Sequence, residues 1–180
     1  MKNLLIVFVV AGVITGKLVA QTHEMGSKEK MNVFSGWAGH WQGEGSMQMG
    51  PGEPKKSRVD ERIEYKLEGM VLMVEGIGTD IDPATKKERV VHHALAILSY
   101  DHQSSKYKFK SYLKDGRSTD AWLNVLAENK FQWGFETPQG KIRYNISVDP
   151  VKETWNEIGE YSKDANNWMK FFEMNLKKVD

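Results

Sequence analysis

A side-chain period of two governs most of this chain. Phe131, Trp133 and Phe135 alternate with Gln132, Gly134 and Glu136. Tyr107, Phe109, Ser111 and Leu113 alternate with Lys108, Lys110, Tyr112 and Lys114, and Val59, Glu61, Ile63, Tyr65 and Leu67 with Asp60, Arg62, Glu64, Lys66 and Glu68. Successive side chains of an extended strand point to opposite faces, so such runs are strands with one half-buried face. Runs rich in Val, Ile, Tyr, Trp and Phe cover 40–48, 56–68, 70–80, 88–101, 106–114, 117–127, 130–137, 141–149, 153–162 and 167–178. Turn formers separate them: Pro51-Gly52-Glu53-Pro54, Asp82-Pro83, Asp115-Gly116, Glu128-Asn129, Pro138-Gln139-Gly140, Asp149-Pro150 and Asp164-Ala165-Asn166. Past Ala38 no segment keeps a helical period over three turns. Before it, Phe34 and Trp37 lie three apart, which suits one short helical turn over 31–38. The pattern predicts an all-β, about ten-stranded antiparallel up-and-down barrel, whose closure removes exposed edges and leaves room for one small ligand.

The first twenty residues follow another rule. Lys2 precedes an unbroken apolar run from Leu4 to Ile14, and Ala20 stands before Gln21. A basic start, a short apolar stretch and a small residue at the cut predict a signal peptide at 1–20, hence an exported protein, periplasmic or secreted. The run is too short to span a bilayer. With no cysteine in the chain, no lipid anchor and no disulfide is expected. Residues 21–30 are polar and read as a mobile leader, leaving 31–180 as a single barrel domain. Without Lys2 and Lys17 the chain carries 23 basic against 24 acidic side chains. That balance, with no basic stripe, argues against a nucleic-acid partner.

A helical turn running into Gly39-x-Trp41, followed by ten short strands, resembles the calycin superfamily. Several pieces are more closely similar to an uncharacterised bacterial family of lipocalin-like domains of unknown function: Gly39-His-Trp-Gln-Gly-Glu-Gly45, His93-Ala-Leu-x-x-Leu-Ser-Tyr-Asp101, Ser111-Tyr-Leu-x-Asp-Gly116, Trp133-Gly-Phe-Glu136, Ile142-Arg-Tyr144, Trp155-x-Glu-x-Gly-Glu-Tyr-Ser162 and Trp168-x-Lys-Phe-Phe-Glu-Met174. The resemblance spans 33–179 and implies a lipocalin-like fold, which by itself fixes no activity.

The sequence predicts a binder of a small hydrophobic or amphipathic molecule. Trp41, Tyr112, Trp122, Trp133, Tyr144 and Trp155 are candidate ligand-binding aromatics, with Phe172 beside them. Glu157 and Glu160 are three apart, so a regular strand sends them to opposite faces; Glu160 is expected inside with Glu173, paired with Arg143 to orient a polar end. His92 and His93 also point to opposite faces. His93 is carried as a ligand-binding candidate, and either histidine is an alternative haem ligand. No catalytic residue, metal ligand or cofactor is assigned. There is no Gly-x-Ser-x-Gly elbow, phosphate loop, His-Glu-x-x-His or cysteine nucleophile. Acid–base chemistry in the cavity, of isomerase or hydrolase type, is the enzymatic alternative. Oligomeric state is not encoded legibly.

Overall fold

The computed structural model describes residues 26–180. The expected signal peptide and the first half of the expected leader lie outside the described residues. Within them, ten antiparallel strands form a closed barrel: β1 (Gly39–Met47), β2 (Lys55–Lys66), β3 (Val71–Ile81), β4 (Glu88–Asp101), β5 (Lys106–Leu113), β6 (Ser118–Ala127), β7 (Lys130–Thr137), β8 (Gly140–Asp149), β9 (Thr154–Ser162) and β10 (Met169–Lys178). Each strand pairs with its sequence neighbours, and β1 pairs with β10 from Trp41–Lys178 to Met47–Phe172. Each strand thereby has a neighbour on both sides, although β5 and β6 pair only from Phe109–Ala121 to Tyr112–Ser118. β1 and β10 approach closely at Gly43, where a Cβ would lie 2.0 Å from the Asn175 carbonyl oxygen.

The turns follow from their sequences. Gly116 sits at φ 88°, a conformation side chains resist, and closes the β5–β6 hairpin. Asp82, Asp149 and Asp164 each accept two backbone N–H bonds through Oδ1, from residues two and three further on. Short hairpins put the β2–β3, β4–β5, β6–β7 and β8–β9 turns at one end and the other five connections at the opposite end.

A helix over 26–31, continued by a 3-10 segment (Asn32–Trp37), covers the first of these ends. Residues 26–30, expected as part of a mobile leader, form part of this helix. Ser27 is buried, and the Lys30 and Met31 carbonyls accept hydrogen bonds from the Tyr107 and Tyr65 hydroxyls. The i, i+3 spacing eclipses side chains in a 3-10 turn, so Phe34 and Trp37 enter the barrel together. Their rings meet edge to face at 5.1 Å and pack on Phe131 and Trp155. Trp41 donates its indole N–H to the Trp37 carbonyl at 2.7 Å, tying plug to wall. Met31, Phe34, Trp37, Trp41, Leu72, Leu98 and Phe131 are all essentially inaccessible, and the core is densest here.

Candidate functional site

Antiparallel registers assign an inner face to each strand, because directly opposed residues share a face. Starting from buried Trp41, the pairs Trp41–Glu61 and Gly39–Ile63 bring Val59, Glu61, Ile63 and Tyr65 inward. Glu61–Gly76 and Gly76–Ala94 continue the face across β3 and β4. Leu123–Trp133 and Trp133–Tyr144 carry it through β6 to β8. Val148–Trp155 and Ile146–Glu157 bring Trp155, Glu157, Gly159 and Tyr161 inward on β9, opposite Leu176, Met174 and Phe172 of β10.

Along this inner face burial falls with height. Toward the plugged end Ile63, Leu98, Phe109, Leu123, Ile146, Trp155 and Leu176 are buried. One or two positions further on, Val59, Glu61, Ser111, Ala121, Trp133, Phe135, Ile142, Tyr144, Tyr161 and Phe172 still point inward but keep part of their surface accessible. On the inner face solvent access thus rises away from the plug. The interior wall is aromatic on one side: Trp133 stacks on Tyr144 at 4.1 Å and on Phe109 at 4.7 Å, with Phe172 edge-on to Tyr144 at 5.9 Å. On the other side the inward side chains of Ala94 and Ser111 are small, and the Glu61 carboxyl takes the space over Gly76.

Two carboxyls stand at the floor of this space. Glu157, 7% exposed, accepts a 3.0 Å hydrogen bond from the Trp133 indole. Burial drives its pKa up to about 7, against the opposing pull of the Trp133 and Trp155 indole N–H groups. The Trp155 N–H is buried and makes no hydrogen bond of ordinary geometry. Glu61 lies against Gly76, where a Cβ would come within 2.6 Å of Oε1. Surrounded by protein, it makes no hydrogen bond or ion pair among the described residues, and its oxygens on the inner face are not fully sealed. Burial first, then the charges of Glu157 and Asp60, push it up to about 8. Tyr144 is raised beyond the usual phenol range by burial and by Glu157.

Of the residues expected at a site, Trp133, Tyr144 and Trp155 line this interior. Trp41 is inside but sealed in the plug, 1% exposed. The others are on the outer wall. Arg143 and Glu160 do pair, at 2.7 Å, but outside, where Asn145 donates to the same carboxylate and the guanidinium lies 3.8 Å from the Trp168 ring centre. The phase was set by Trp155: Glu157, two residues on, shares its face, and Glu160 takes the other. Glu173 opposes outward Ile158 and bonds Lys170. His93 bonds Glu75 outside at 2.8 Å, while His92 points inward at the rim, its pKa lowered by burial and by the charges of His93 and Lys114. Trp122 covers Gly134 from outside, and Tyr112 is outward and exposed.

A groove of about 550 Å³ also runs along the outer wall over β1–β3, lined by Gln42, Glu44, Arg58, Asp60, Ile77 and Thr79. Of its polar groups, Asp60 accepts from Gln42 at 2.7 Å and pairs with His40 at 2.8 Å, and Thr79 donates to Glu88 at 2.9 Å, while Glu44 and Arg58 have no hydrogen bond or ion pair among the described residues. What sets the interior apart is its aromatic surface, absent from the groove lining, beside the carboxyls of Glu61 and Glu157. No group of three or more metal-ligating side chains occurs among the described residues. A closed barrel with such an interior can hold a ligand. Set against models of known protein families and against curated proteins, the chain matches none.

Proposed function

We propose that this protein is an exported, lipocalin-like carrier that holds a small, largely apolar molecule inside its barrel. The observation that carries this reading is the burial gradient: inward aromatic side chains, led by Trp133, Tyr144 and Phe172, retain accessible surface above a sealed floor. Exposed aromatic surface inside a concave space is the usual ground for binding apolar molecules. Native mass spectrometry of gently purified protein tests it. A defined extra mass that disappears on denaturation is the expected result; bare chain that also refuses neutral hydrophobic dyes overturns it. Export is supported by Lys2, the apolar run Leu4–Ile14 and Ala20. N-terminal sequencing of protein from the exported fraction should begin at Gln21, and an intact Met1 terminus there would reject cleavage.

A second reading has its own support. Burial pushes Glu61 up to about 8 and Glu157 up to about 7 beside the partly accessible aromatic wall, and carboxyls poised near neutrality are suited to general acid–base work. In this reading the barrel isomerises or hydrolyses its ligand. The check is conversion of the extracted ligand with a pH profile governed by groups near 7–8, abolished in Glu61→Gln and Glu157→Gln. Unchanged ligand after prolonged incubation favours the carrier.

A further inference from the structure

Glu157 has donors aimed at it that partly offset the cost of burying its charge. The Trp133 N–H donates to it, and the Trp155 N–H beside it, buried and unpartnered, is placed to support an ionised carboxylate. Glu61, whose charge couples to that of Glu157, has no donor among the described residues. What the floor lacks, among the described residues, is a cation. No Lys, Arg or His influences the titration of either carboxyl. Lys178 shares the inner face but sits in the plugged end, 5.6 Å from the Trp41 ring centre and against Gly39. Buried charges are normally paired, and an unpaired carboxylate here is costly. A metal ion is a poor candidate for the missing partner. Two carboxylates supply too few ligands, and the surrounding wall is aromatic rather than oxygen-bearing. Aromatic faces do favour organic cations.

We propose that Glu61 and Glu157 form the recognition site for a protonated amine, whose flat apolar body lies along Trp133, Tyr144 and Phe172. This rests on the carrier reading and gives the ligand its class: an aromatic or alicyclic amine. The ammonium enters between the two carboxylates, completes their charge, and leaves the rest of the molecule in the aromatic half of the barrel.

Three probes of one shape test it by calorimetry on the purified full-length protein at pH 8: 2-naphthylmethylamine, 2-naphthylmethanol and 2-naphthoate. The amine should bind at least roughly tenfold more tightly than the alcohol, a ratio typical of one charge-assisted contact, and the carboxylate should not bind. Glu61→Gln and Glu157→Gln should each shrink the ratio of amine to alcohol affinity, with both probes measured on the same variant. Should Glu157→Gln fail to fold, Glu61→Gln decides alone, since Glu61 has no hydrogen bond to lose. Equal affinity for amine and alcohol overturns the amine assignment and leaves the carrier intact. Failure of all three probes, with failure of the neutral dye Nile red, overturns both.

Discussion

Glu61 shows how one residue can mark a site. It stands on the β2 face of Val59, Ile63 and Tyr65, an otherwise apolar row, and that anomaly is visible in the alternation itself. A carboxyl on the buried face of a strand is expensive unless it is paired or used. Its place depends on Gly76 directly opposite, which leaves the space the carboxyl occupies. Gly76→Ala should therefore keep the fold, at a cost of about 1 kcal/mol for overpacking. It should displace Glu61 and weaken amine binding severalfold, as read by the same calorimetry; unchanged affinity would mean that Glu61 is not where the ligand's charge sits. The outer pair supplies the contrast. Arg143→Ala removes the Glu160 bridge and the stacking on Trp168, so unfolding in urea should show a loss of about 1 kcal/mol. Ligand affinity should not change, because that cluster lies on the other side of the wall. The choice between Glu157 and Glu160 was not decidable from their spacing. Three residues apart puts them on opposite faces but does not say which face is inside. The phase comes from Trp155, which the plug buries, and the plug is a tertiary feature.

At the level of elements, strand intervals are readable to within two residues at each end because two independent signals agree. Alternation defines the body of each strand, and Asp, Gly and Pro define where it must stop. The N-terminal plug was only half legible. Phe34 and Trp37 mark the 3-10 turn, but the polar stretch before it gives no apolar period, and residues 26–31 are helical because they rest on the barrel's end. Lys28 lies against Gly69, and Gly26 against His102, both in turns of that end. The plug's stability is thus borrowed from aromatic packing. Phe34 touches Trp37, Tyr107 and Phe131, so Phe34→Ala should cost about 3–5 kcal/mol. Beyond the fall in urea midpoint, the variant should bind a hydrophobic dye at the loosened end while the far-UV spectrum of the barrel persists. A loss below about 1 kcal/mol would show that the end is sealed without the plug.

For the whole molecule, the buried carboxyl pair sets a pH dependence opposite to that of the surface. In an unfolded chain both glutamates titrate near 4.5, whereas in the barrel Glu157 holds its proton up to about 7 and Glu61 up to about 8. Between those limits the folded state binds more protons than the unfolded one. Stability is therefore greatest below the unfolded value and declines as pH rises through the folded ones, by up to about 1.4 kcal/mol per pH unit for each proton. The groups facing the pair do not reverse this. Tyr144 is neutral throughout this range and Asp60 adds negative charge. The opposing residues of β1, β3 and β10 are Trp41, Gly76 and Met174, none of which titrates. At the acid limit the sign inverts, because Asp82, Asp101, Asp149 and Asp164 have lowered values from their turn hydrogen bonds. Their contribution is present above the unfolded value of 3.8 and is lost as pH falls through the folded values. The urea midpoint should thus peak near pH 5 and fall by pH 8, where a surface-dominated barrel would stay level. The Glu61→Gln, Glu157→Gln double variant keeps the acid decline and should lose the alkaline one. A wild-type profile already flat between pH 5 and pH 8 would mean that the pair is ionised in the empty barrel, with solvent rather than a ligand balancing its charge.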